Sequence, residues 1–138
     1  MNLDVAKSTI TAALARMNAL FNKPLFDEWV VVSFEPGRDA VLAYQGPRAE
    51  HFRKEFADDI LPLSREMTDK RLAVGDFDFA REAASTRFDA CIRVGSAGYL
   101  LCNNTAKSMA EIRQDPRWLQ AQKAFVKLSN AFRADPLE

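Results

Sequence analysis

Between Leu72 and Asn104 the chain reads LAVGDFDFAREAASTRFDACIRVGSAGYLLCNN, with apolar and polar residues alternating through three segments. The breaks fall at Ala83–Thr86 and at Gly95–Gly98, where small residues and glycine gather. Period-two alternation punctuated in this way predicts a three-stranded antiparallel meander. With the breaks as connections, Glu82 faces Arg87, Ala80 faces Asp89, Asp78 faces Cys91 and Asp76 faces Arg93. In the second hairpin Val94 faces Tyr99, Ile92 faces Leu101 and Cys91 faces Cys102. Side chains alternate across a strand, so Phe77, Phe79, Phe88, Ala90, Ile92, Val94, Tyr99 and Leu101 fall on one face. The opposite face collects Asp76, Asp78, Glu82, Arg87, Asp89, Arg93, Cys91, Cys102 and Asn104. Its directly opposed ion pairs, Glu82–Arg87 and Asp76–Arg93, are worth roughly 0.2–1 kcal/mol each. A slip of one residue in either hairpin would mix the faces. The expected sheet has an oily side and a charged side.

The flanking segments supply the rest of an α+β domain. From Leu3 to about Asn22, Ile10, Ala13, Leu14, Met17, Leu20 and Phe21 recur at helical spacing, and Pro24 marks the end. Glu28 to Phe34, EWVVVSF, is apolar on both faces and rich in β-branched residues, which suits a strand covered on both sides. Ala40 to Tyr44 returns as its hairpin partner after the turn Glu35-Pro-Gly-Arg-Asp39. Gly46-Pro47 opens a middle helix with Phe52, Phe56, Ile60 and Leu63 as its buried stripe, kinked or stopped near Pro62. After the meander, Thr105 caps a short helix through Ile112, and Asp115-Pro116 starts a last helix carrying Trp118, Ala121, Phe125, Leu128 and Phe132. The order α-β-β-α-β-β-β-α fits one five-stranded antiparallel sheet, strands two, one, five, four, three across it. The two terminal helices then cover one face and the middle helix the other.

Composition excludes more than it identifies. At 138 residues the chain is expected to be one domain, 1–138, and 19 basic side chains balance 19 acidic ones. With no net charge, no global field gathers nucleic acid. The N-terminal residues lack a signal-peptide pattern, and no apolar run is long enough to span a bilayer, so a cytoplasmic protein without membrane insertion is expected. Two cysteines make no disulfide framework, although this register would allow Cys91 and Cys102 a redox-sensitive cross-strand bond. With one histidine and no CxxC or CxxH, no metal or other cofactor is expected.

This element order resembles that of the profilin-like modules, and in particular the roadblock (dynein light chain) family. The resemblance rests on topology and implies a non-enzymatic regulatory module: a homodimer that serves as platform for a GTPase, motor or signalling partner. It implies an interface made by the middle helix and the edge strand, so the candidate interface residues are Leu72, Val74, Asp76, Asp78, Phe52 and Phe56. A polar junction of Asn103, Asn104 and Thr105 is the other candidate site, with helix capping as its ordinary explanation.

Catalytic constellations are not legible. His51 is the lone imidazole and sits in ordinary surface-helix composition, and no phosphate-cradling or nucleophile-elbow motif occurs. Asp76, Asp78 and Asp89 share a face but are matched there by Arg87 and Arg93. The alternative to an interaction module is a PAS-like small-molecule sensor, with Trp29, Tyr44, Trp118 and Phe125 lining its pocket.

Overall fold

The run Glu28–Ser33 forms the strand its composition predicts: Trp29, Val30, Val31 and Val32 are all buried, whichever face they point to. In the computed structural model this strand, β1, pairs on both sides, with β2 (Ala40–Gln45) and with β5 (Gly98–Asn103). β4 (Ala90–Arg93) and β3 (Phe77–Asp78) complete an antiparallel sheet ordered β2-β1-β5-β4-β3. Among the described residues the helices are α1 (Leu3–Asn18), α2 (Met109–Gln114) and α3 (Trp118–Ala134). The structure describes residues 1–21, 25–26, 28–33, 40–46, 72–78, 90–103 and 109–138. The expected middle helix, with Phe52 and Phe56, lies outside the described residues, as do the first meander connection and the Glu82–Arg87 pair. The fold is α+β around a five-stranded antiparallel sheet, with the expected strand order. Among the described residues no helix is long and apolar enough to cross a membrane.

The first hairpin keeps the expected register, with Phe77 opposite Ile92 and Asp78 opposite Cys91. The second does not. Arg93 faces Tyr99, Ile92 faces Leu100, Cys91 faces Leu101 and Ala90 faces Cys102, one residue away from the sequence expectation. Gly98 belongs to the ladder, because its carbonyl accepts from the amides of both Val94 and Gly95. The connection is therefore one residue shorter than the glycines imply.

That slip moves side chains between faces. Ala43, Val31, Leu100, Ile92 and Phe77 now form one row across all five strands, joined on that side by Trp29, Cys102 and Ala90. Tyr99, Leu101 and Cys91 point the other way, with Val30 and Val32. All five are buried, so this second face is apolar across its middle strands rather than charged. Cys91 and Cys102, expected side by side, stand on opposite faces, and both are buried. Disulfide geometry needs converging Cβ vectors, which this placement denies. Mild oxidation of the folded protein is expected to form no intramolecular disulfide, read as no loss of two hydrogens in intact mass. Both thiols should react with a thiol reagent only once the chain is unfolded.

α1 and α3 lie on the first face. Ala6, Ile10, Ala13, Leu14 and Met17 from one helix and Ala121, Phe125, Leu128 and Phe132 from the other pack onto Val31, Ile92 and Leu100. The helices run antiparallel: Met1 pairs with Asp135 at 2.7 Å at one end, and Arg117 stacks over Phe21 at 5.0 Å at the other. Asn2 caps α1, its side chain accepting from the Val5 amide at 2.9 Å. α1 ends earlier than Pro24 suggests. The Asn18 amide group bonds both the N–H and the C=O of Phe26, at 2.9 and 3.0 Å, and draws the chain off the helix axis. At the start of α3 the N-cap position falls to Arg117, with no side-chain capping bond, and not to the expected Asp115. The Asp115 Oδ1 accepts from the Arg117 amide at 2.9 Å, and Trp118 opens the regular helix.

Burial on the second face has an electrostatic consequence. Desolvation pushes the Tyr99 phenol above its ordinary value of 10.0, against the neighbouring Arg93 guanidinium, which pulls it down; Cys91 adds a smaller upward push. The folded state thus holds this proton more tightly than the unfolded chain does. The contribution is intact below the ordinary tyrosine pKa and is lost as pH rises through the higher folded value. Tyr99→Phe is expected to flatten the alkaline limb of a stability-against-pH curve measured in urea.

Candidate functional site

The edge expected to form an interface, Leu72–Asp78, is bound into the fold. Gly75 donates to the Arg93 carbonyl at 2.8 Å, and Arg93 donates to the Asp76 carbonyl at 3.0 Å, extending the β3–β4 ladder. The Arg93 guanidinium was expected to pair with Asp76. Instead it donates to three backbone carbonyls: Leu72 at 2.6 Å, Ser96 at 2.6 Å and Gly95 at 3.2 Å. Asp76 takes its ion pair from Arg133 of α3, at 3.1 Å, and accepts from the Ala73 amide at 3.1 Å. Three carbonyl dipoles in a tight corner satisfy the planar guanidinium's several donors, leaving the acid to the helix above. Asp76 and Arg133 are both about half exposed, so this pair is worth at most about 1 kcal/mol. Leu72, Val74, Asp76 and Asp78 are each partly covered.

Gly75 is where this corner has no slack. Its φ is +89°, and an added Cβ would sit 2.6 Å from the Arg133 Cβ and 3.0 Å from its Cα. Gly75→Ala is expected to cost about 1–3 kcal/mol from the backbone conformation alone, with the steric overlap added to it. Urea unfolding checks this.

Asn103 closes β5 opposite Glu28, a buried acid of β1, while Asn104 and Thr105 lie outside the described residues. His51 and Asp89 also lie outside them. Among the described residues no group of three or more His, Cys, Asp or Glu is placed to hold a metal ion. The aromatic quartet divides. Trp118 and Phe125 belong to the core between α3 and the sheet, whereas Tyr44 is opposite Val30 on the second face. Trp29 lines a cleft of about 300 Å³ with Leu14, Asn18 and Phe26.

The sheet's other edge carries what sequence reasoning missed. β2 is the terminal strand, six residues long, and its Leu42 and Tyr44 are 41% and 38% exposed. Val31 pairs with Ala43 but Val32 with Val41, so Leu42 is the extra residue of a bulge. Alternation of Ala40–Gln45 gives no sign of that bulge, and so no sign that Leu42 turns outward. The bulge-free stretch Ala43–Gln45 keeps the regular pleat at the rim of the sheet.

No protein-family model matches the chain, and no curated protein or solved structure matches it. The resemblance to roadblock modules accordingly rests on the order of elements and on nothing else.

Proposed function

We propose that this chain is a non-enzymatic interaction module of the cytoplasm, which self-associates along the β2 edge of its sheet and presents the resulting dimer to a protein partner. One observation carries the reading: the terminal strand holds two large apolar side chains, Leu42 and Tyr44, substantially in solvent. A strand edge offers backbone donors and acceptors to a second strand, and exposed apolar residues add side-chain contacts to that pairing. This replaces the edge made by Leu72–Asp78, whose neighbouring backbone is tied down by Arg93 and Arg133. Sedimentation velocity across a concentration series tests it. Wild type is expected to form a dimer that Leu42→Lys dissolves while leaving the circular dichroism unchanged. A monomer at every concentration would defeat it.

The PAS-like sensor reading keeps one specific observation, the cleft at Trp29, Phe26, Leu14 and Asn18. A concentration-dependent rise in Tm with a nucleotide, haem, flavin or metabolite would support it, and no stabiliser across such a panel would remove it.

A further inference from the structure

Most arginines of the described structure are held. Arg93 binds carbonyls, Arg117 is forked onto Asp115 at 2.8 and 2.9 Å, and Arg133 binds Asp76. The outer side of the α1–α3 pair differs. There Arg16, Lys123 and Lys127 line a cleft of about 440 Å³ together with Ala124, Val126 and Asn130. None of these three cations makes a side-chain hydrogen bond or ion pair among the described residues. Lys123 and Lys127 are four apart on one helix, an arrangement that repels. α3 has no acidic residue from Trp118 to Ala134, and α1 has one, Asp4. In a chain with zero formal net charge, the helical layer is locally cationic. Apolar surface accompanies the charge, with Val126 42% and Leu119 63% exposed.

We infer that the α1–α3 cleft docks an acidic amphipathic segment of a partner protein, its carboxylates on Arg16, Lys123 and Lys127 and its apolar side chains on Ala124 and Val126. This rests on the interaction-module reading and names the chemistry of the partner. Uncompensated like charges beside exposed apolar surface are relieved by a ligand carrying opposite charge and apolar groups together. The lining comes from both helices, Arg16 from α1 and the rest from α3, and a helical segment can offer carboxylates and apolar groups to it together. Three cations at one cleft are few for a bilayer or a duplex, which recruit broad cationic faces.

The test uses the full chain and a fluorescein-labelled helical peptide of about 15 residues with Glu and Leu on opposite faces, beside its Lys-for-Glu counterpart. The acidic peptide is expected to bind, to weaken as salt rises, and to lose about tenfold or more in affinity with Lys123→Glu/Lys127→Glu. The basic peptide should not bind wild type. Both sites are exposed, so the variant should keep its circular dichroism and Tm, and also its dimer. No binding of the acidic peptide, or binding indifferent to the charge reversal, would overturn the proposal. So would preferential binding of phosphatidylserine vesicles, duplex DNA or inorganic phosphate. A dimer that fails to bind the peptide sinks this inference alone; a strict monomer that binds it sinks only the self-association.

Discussion

Phe125→Ala is expected to cost about 3–5 kcal/mol in urea unfolding, a large part of what holds a domain of this size together. The side chain is 1% exposed. Its ring meets Phe77 edge-on with centroids 5.2 Å apart, and Phe26 at 6.0 Å. One side chain thus joins α3 to the edge strand β3 and to the residues leading into β1. Truncation leaves a cavity bordered by two other rings on separate elements, which cannot close over it without moving the sheet edge. Leu119→Ala, on the exposed side of α3 nearly two turns earlier, serves as the control and should change stability little. A loss below about 1 kcal/mol at Phe125 would mean that α3 presents another face to the sheet.

Val30→Asp is expected to cost at least as much, on the order of 3–5 kcal/mol or more, through a buried charge with no counter-ion. Val30 is fully buried on the second face, between Tyr44 of β2 and Leu101 of β5. The carboxyl would have to bind a proton or open the sheet, so stability should recover in part as pH falls. Leu42→Lys on the adjacent strand, being half in solvent, should be nearly neutral. If Val30→Asp folds as wild type does, the second face is wet.

These two sites show how far the sequence carries. Phe125 is legible because helical spacing marks one stripe from Trp118 to Phe132, and all of it is buried. β1 is legible too: a run apolar on both faces requires cover on both faces. The second hairpin is not. Tyr99-Leu-Leu-Cys102 is apolar throughout, so a slip there exchanges one apolar set for another and, contrary to expectation, does not mix the faces. The choice comes from distant residues: the Leu137 amide bonds the Val94 carbonyl at 2.8 Å, and its carbonyl lies where a side chain at Gly95 would go. Gly98 likewise lies close to Val94 and Leu137. A pattern of local alternation contains nothing of a C-terminal residue folding back. The Asp76–Arg93 pairing failed for the same reason, since Arg133 arrives from a helix more than fifty positions away. The cationic cleft was invisible in a balanced total charge, because charge cancels in the sum while staying separated in space.

The most direct measurement is amide hydrogen exchange on the wild-type chain, above and below the concentration at which it self-associates. Amides of β2, residues 40–45, are expected to gain protection on association, while those of residues 72–78 stay as they were. Protection gained at 72–78 instead would return the interface to the opposite edge, and protection gained at neither would contradict assembly through the sheet.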